Sequence, residues 1–394
     1  MKIYMSAFAD EYSTNFKEQV EKLHEENIPY IEPRLINGKP LTELSVEEVK
    51  EAKKLLDLNQ VQISAIGSPI GKIDILGDIE SHFKDAEKIF QYANILGAKR
   101  IRMFSFYNYS KIDKKEFENK VFEYMDRLLN LADSYGLMLC HENEAEIYGE
   151  GYENCYKLLT HFKGRLRAVY DMANFVVKGY DTVKAYLMLK DYIEYFHIKD
   201  ALYEDVIVPA RYGEGRVQEI ITMAVKDLNR DFITTVEPHL QVFNGLGYLA
   251  AKNSTIKNKY RYPSQKDAFM AAINATREMI KSVEEKEIDV HCENGYLIKK
   301  YHNEELLIKD VARESSLFIA TALTKKEKAR VYFDADPRIL TAMKHSGEFD
   351  LDKVEFSNNL VESDVCVSSH KKEMKTNHLY VTDLPNKTIL IKLL

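Results

Sequence analysis

Leu137-Met138-Leu139-Cys140-His141-Glu142-Asn143-Glu144 reads as a buried strand that ends in a burst of charge. Its apolar start suits a sheet covered on both faces, and its polar residues emerge at the carboxyl end. Three later runs end the same way: Ala168-Val169-Tyr170-Asp171, Ile193-Glu194-Tyr195-Phe196-His197 and Ile233-Thr234-Thr235-Val236-Glu237. In a parallel sheet all carboxyl ends point to one side. Glu142, Asp171, His197 and Glu237 are therefore expected to meet, and three carboxylates with one imidazole form a divalent-metal donor set.

Outward from this stretch, strand-like and helix-like segments alternate through the first 280 or so residues. Strands are expected at 3–8, 30–34, 61–66, 100–106, 138–142, 168–171, 195–198 and 233–237, with amphipathic helical patterns between them. Ser45-Val46-Glu47-Glu48 opens one helix with an N-cap and a glutamate three residues on. Segments 217–228 and 266–280 supply the seventh and eighth helices. Eight β/α units predict an α/β fold, a (β/α)8 TIM barrel over residues 1–283. An insertion at 241–262, with Gly245, Gly247 and several lysines, follows the eighth strand and reads equally as a lid or as a loop with no catalytic role.

From residue 285 the rhythm changes. Short strands are expected at 288–292, 295–300, 306–308, 318–323, 330–333, 353–356, 365–367, 379–382 and 388–392, with a helix at 337–343. This makes 285–394 a small β-rich α+β accessory domain, with no constellation of residues that carries chemistry.

Composition narrows the function classes. Apolar residues make up 45% and charged residues 30% of the 394, as in an ordinary globular protein. Residues 285–394 carry 17 Lys+Arg against 19 Asp+Glu, leaving 38 against 43 before them, so neither part is basic and a nucleic-acid partner is not expected. Four cysteines without a CxxC pair signal neither a zinc ribbon nor a disulfide framework. The polar start is no signal peptide and no apolar run reaches the length of a membrane span, so a cytoplasmic protein without membrane contact is expected.

The residues at the strand ends resemble the sugar phosphate isomerase/epimerase superfamily, the xylose isomerase-like barrels. The family carries Glu, Asp, His and Glu after strands five to eight, matching Glu142, Asp171, His197 and Glu237. The resemblance covers about 1–283 and includes Phe8-Ala9-Asp10-Glu11, Ile31-Glu32-Pro33-Arg34, Ile66-Gly67-Ser68-Pro69-Ile70-Gly71-Lys72, His197-Ile198-Lys199-Asp200 and Glu237-Pro238-His239-Leu240. The C-terminal region has no match. The resemblance implies a metal-dependent isomerase or epimerase of a sugar or sugar phosphate, working through a metal-stabilised enediolate. Glu142 and Glu237 would be the acid/base pair, with Asp171 and His197 as ligands only. The donors suit one Mn2+ or Mg2+ ion and tolerate Co2+ or Zn2+.

Other residues are weighed beside these. Lys199 can meet a phosphate or oxyanion, or pair with Asp200. Glu32 and Arg34 can bind hydroxyls, or each other. Ser68 and Lys72 are candidate substrate contacts, and Arg102 is read as a barrel-interior ion pair. The alternatives are a metal-dependent dehydratase or lyase on a related keto-polyol, and a non-catalytic sugar-binding barrel. An endonuclease would need more histidines at the mouth than His141 and His239. A homo-oligomer is expected only by analogy.

Overall fold

The computed structural model describes residues 1–202, 206–241, 257–258, 262–345, 351–370, 379–383 and 386–392. The chain divides into two compact units, one of 1–217 with 227–278 and one of 218–226 with 279–394.

The first unit is a barrel. Its strands are β1 (Ile3–Ala7), β2 (Tyr30–Ile31), β3 (Gln62–Ile63 and Ile66–Gly67), β4 (Arg100–Met103), β5 (Met138–Glu142), β6 (Leu166–Asp171), β7 (Ile193–Ile198) and β8 (Phe232–Val236). All pairings among them are parallel, and one seven-stranded sheet runs from β1 through β8, β7, β6, β5 and β4 to the second half of β3. The short β2 completes the ring: Glu32 N–H donates to the Ala7 carbonyl, and β2 pairs with the first half of β3. The eight-stranded barrel expected from the sequence is therefore present, with β2, β3 and β4 shorter than their sequence patterns.

Long helices follow the strands as the apolar spacing predicts. Ser45 and Glu48 form a reciprocal capping box at the start of Val46–Leu58. Val217–Asp227 and Gln265–Glu284 are the expected seventh and eighth helices, and residues 218–226 of the former group with the second unit. Most of the 241–262 insertion lies outside the described residues; Lys257–Asn258 pairs in parallel with Val206–Ile207. Among the described residues no helix is long and apolar enough to cross a membrane.

Side chains of Cys140, Val169, Tyr195 and Ile233, from four strands, pack as one buried cluster with Ala65, which lies between the two halves of β3. Side chains alternate faces with period two. Two residues beyond Cys140, Val169 and Tyr195, the same face therefore carries Glu142, Asp171 and His197. The polar layer stands directly on an apolar one.

The loop after β7 is tied by a single carboxylate. Asp200 accepts hydrogen bonds from the backbone N–H groups of Ala201, Arg211, Gly213 and Gly215 at 2.9–3.0 Å. A Cβ on Gly213 would lie 2.2 Å from Asp200 Oδ1, so only glycine permits this approach.

The second unit holds a seven-stranded mixed sheet: β9 (Ile288–Glu293), β10 (Tyr296–Tyr301), β11 (Ala329–Asp334), β12 (Val354–Ser357), β13 (Val365–Ser368), β14 (Leu379–Asp383) and β15 (Thr388–Lys392), in the order β9-β10-β15-β14-β13-β11-β12. Asn294 and Gly295 turn the first hairpin with φ of 51° and 77°. Two expected strands are absent: 306–308 and 318–323 both lie in the helix Glu304–Lys325. Asn303 caps it, and Leu307, Val311, Ser315 and Phe318 bury one stripe at helical spacing. Lys309, Asp310, Arg313 and Glu314 lie between the two apolar runs read as strands, and Glu314 is buried with them.

Lys299, 1% exposed, is bonded to Glu219 (2.5 Å), Asp310 and Glu314 (3.4 Å), while Arg313 Nη2 lies 2.8 Å from both Asp310 and Glu314. Removing one partner of such a buried group leaves charges uncompensated. Lys299→Ala is expected to destabilise this unit by about 3–5 kcal/mol in urea denaturation, against about 0.5 kcal/mol or less for Lys300→Ala on the exposed face. Equal losses in the two variants would contradict this account of the network.

Candidate metal centre at the barrel mouth

Glu142 ends β5, Asp171 ends β6, His197 lies in β7, and Glu237 follows β8. One donor atom from each lies within 4.8 Å of the others, and all four residues are buried. His197 Nδ1 is 2.9 Å from Glu142 Oε1 and 3.7 Å from Glu237 Oε2. Strand register sets this up: His197 pairs with Asp171 on one side and Thr235 on the other.

Asp171 does two things. Its Oδ1 accepts from Asn174 N–H at 2.9 Å, capping the helix Met172–Val177. Its Oδ2 lies 3.1 Å from Lys199 Nζ but makes no hydrogen bond there. Asn143 extends the β5–β6 ladder beyond the strands, donating to the Asp171 carbonyl and accepting from its N–H. Asn174 Nδ2 donates to the Asn143 carbonyl at 2.8 Å.

Each glutamate is held by a guanidinium. Arg102 donates to Glu142 Oε2 at 3.0 Å, as the interior-pair reading expected. Arg34 donates to Glu237 Oε1 at 3.1 Å and also holds Asp10 and Glu11. Lys199 donates to Glu237 Oε2 at 2.9 Å.

Burial disfavours the imidazolium of His197, but the charges of Glu142 and Glu32 outweigh it and hold its pKa at about 10. Burial likewise disfavours the Lys199 ammonium, and Asp171 and Glu237 hold its pKa above the ordinary lysine value. One ammonium cannot fully neutralise two carboxylates. Burial would raise Glu237, yet Lys199, His239, His197 and Arg34 keep it well below the usual carboxylate range. Asp171 is pushed up to about 7 by burial, against the pull of Lys199 and with the added repulsion of Glu237 and Glu142.

The donor set fits a divalent cation. Metal–ligand bonds of about 2.0–2.2 Å put ligand atoms roughly 3–4.4 Å apart, compatible with the 4.8 Å spread. Among the described residues, the buried carboxylates Asp10, Glu11, Glu32, Glu142, Asp171 and Glu237 outnumber the buried permanent cations Arg34, Arg102 and Lys199 around them. A dication would offset much of that excess.

The remaining sequence candidates fall as follows. Lys199 reaches the tetrad and makes no pair with Asp200, whose carboxylate is filled by backbone donors. Glu32 and Arg34 do not pair with each other: Arg34 faces the acids after β1 and β8, and Glu32 lies on the far side of His197, 3.3 Å from Nε2. Lys72 pairs with Glu144 at 3.1 Å and lies over the Phe104 ring. Ser68 Oγ donates to the Arg102 carbonyl and accepts from Ile70 N–H. His141 points away from the tetrad, its Nε2 2.9 Å from Ser105 Oγ; burial pushes its pKa down to about 3. Sequence reasoning gave no role to Asp10 and Glu11, though they follow β1 as Glu237 follows β8. His239 Nε2, 3.4 Å from Glu11 Oε1 and 3.5 Å from Glu237 Oε1, joins them.

The xylose isomerase-like TIM barrel family model matches residues 20–224. Among solved structures, a D-psicose 3-epimerase from Clostridium cellulolyticum H10, determined with D-tagatose, is 17% identical with a TM-score of 0.56, over 71% of this chain and 99% of that one. A probable 3-DHS dehydratase from Bacillus anthracis is 18% identical with a TM-score of 0.51, over 60% and 92%. A xylose isomerase-like TIM barrel protein from Mycobacterium smegmatis, in complex with magnesium, is 15% identical with a TM-score of 0.51, over 71% and 97%. At these identities the likeness is one of fold. No curated protein matches the chain. With the family model spanning more than half of its length, this chain belongs to the xylose isomerase-like TIM barrel family.

Proposed function

We propose that the barrel binds one divalent cation, Mn2+ or Mg2+ in preference to Co2+ or Zn2+, and interconverts isomers or epimers of a sugar or sugar phosphate. The observation that carries this is the convergence of Glu142, Asp171, His197 and Glu237 within 4.8 Å at the carboxyl end of the barrel. Such an ion, when bound, polarises neighbouring carbonyl and hydroxyl oxygens of a substrate.

The protein's own groups move the proton. Glu142 and Glu237 come from β5 and from just after β8, on either side of His197. Each has one oxygen held by a guanidinium, which fixes the carboxylate plane and leaves the other oxygen toward the tetrad. One glutamate takes the proton from the carbon beside the carbonyl and the other returns it, to the same or a neighbouring carbon. Lys199 donates to a substrate oxygen from within the same layer. Farther out, Lys72, Glu144 and His239 offer polar contacts to hydroxyls, while Arg34 and Ser68 act through Glu237 and the Arg102 strand.

Incubation with a panel of ketoses, aldoses and their phosphates in D2O should place deuterium at the carbon beside the carbonyl of at least one of them. Glu142→Gln and Glu237→Gln should each slow that exchange by about 100-fold or more while the far-UV circular dichroism is preserved. Unchanged exchange in both variants rules out the acid/base assignment.

Stripping the protein with a chelator should abolish exchange, and Mn2+ or Mg2+ should restore it. Adding the ion at about 100 times its Kd should also stabilise the fold by about 2.7 kcal/mol, visible as a rise in Tm. A chain that takes up no divalent ion in equilibrium dialysis refutes the proposed centre.

A further inference from the structure

We infer that Glu32 is a positioning residue that fixes the His197 ring from behind, so that Nδ1 is the nitrogen offered to the tetrad; this rests on the tetrad being a metal centre. His197 Nδ1 faces Glu142 and Glu237, whereas Nε2 lies 3.3 Å from both oxygens of Glu32. An imidazole that ligates a metal is neutral and carries one N–H. Placed on Nε2 and shared between the two Glu32 oxygens, it leaves the Nδ1 lone pair free for a cation.

Glu32 is itself immobilised. Tyr195 Oη donates to its Oε1 and Thr235 Oγ1 to its Oε2, both at 2.8 Å. Glu32 directly follows β2, Tyr195 and His197 belong to β7, and Thr235 to β8, so the acceptor is held by the barrel wall. The Phe8 ring meets the imidazole edge-on at 5.0 Å and limits its rotation. Glu32 is fully buried, and the imidazole stands between it and the tetrad. A hydroxyl of a substrate bound at the tetrad would meet the ring before it met this carboxylate. The position therefore suits orientation of a ligand rather than contact with a sugar.

The test compares Mn2+ affinity, from electron paramagnetic resonance titration of the full chain, in wild type, Glu32→Leu, Glu32→Gln and Tyr195→Phe. Wild type failing to bind Mn2+ would sink the metal reading itself. With wild type binding, Glu32→Leu should lose about 10–100-fold in affinity. Glu32→Gln keeps an oxygen that can accept from Nε2–H and should recover most of that loss. Tyr195→Phe removes a hydrogen bond to Glu32 without touching the ring and should stay within about threefold. Nitrogen-15 NMR of the Zn2+-loaded protein supplies a readout that general destabilisation does not move: Nε2 protonated and Nδ1 metal-bound in wild type, and a mixture in Glu32→Leu. If Glu32→Leu does not fold, Glu32→Ala, which also removes the acceptor, takes its place in both measurements. Wild-type affinity in the folded variant that lacks the acceptor, or a protonated Nδ1 in the loaded wild type, overturns the inference.

Discussion

Burying like charges together is unfavourable unless each is compensated, and the mouth of this barrel does so repeatedly. Six buried carboxylates share one small region, and the arrangement around them answers that repulsion. Arg34 holds the acids that follow β1 together with Glu237; Arg102 holds Glu142; Lys199 reaches between Asp171 and Glu237. Both guanidinium groups lie over the Phe8 ring, at 4.1 and 5.6 Å from its centroid. The ring thus attracts both guanidinium groups, which offsets part of their mutual repulsion. Barrel curvature, strand register and the apolar layer beneath all serve to hold this charged layer in place.

The tetrad was legible because each member ends a locally recognisable apolar run, and parallel strands put such ends together whatever the exact boundaries. Roles that depend on direction were not legible. Nothing in Ile31-Glu32-Pro33-Arg34 says that one charged side chain turns behind His197 and the other toward the acids after β1. Lys199 lies against Asp171 and Glu237, whereas its neighbour Asp200 accepts from four backbone donors, up to 15 residues later, that no local pattern signals. In the second unit, Lys309, Asp310, Arg313 and Glu314 separate the apolar runs 306–308 and 318–323, which read singly as strands. Their helix became visible only with the sheet that buries Glu314 and surrounds Lys299.

The fold supports several chemistries, so it constrains the reaction less than the residues do. Neighbours of similar architecture include an epimerase and a probable dehydratase. What separates such outcomes is the direction in which a proton is returned and whether a hydroxyl leaves. The function proposed above assigns those choices to Glu142, Glu237 and Lys199, three groups held by guanidinium and carboxylate partners.

The place of β15 bears on how the chain reaches its native state. Thr388–Lys392 sits between β10 and β14, joining strands nearly a hundred residues apart in one direction to its immediate predecessor in the other. Until it docks, β9 with β10 and the β14-β13-β11-β12 group are separate pieces, each with an open edge able to pair with another chain. The barrel has the same property, since β1 closes against β8. Non-local closure of this kind slows folding, because the loop entropy is lost before the contacts return it. Residues 218–226, which group with the second unit, lie in sequence between β7 and β8. The two units are therefore interleaved along the chain, and cutting it at a single point cannot release either one whole.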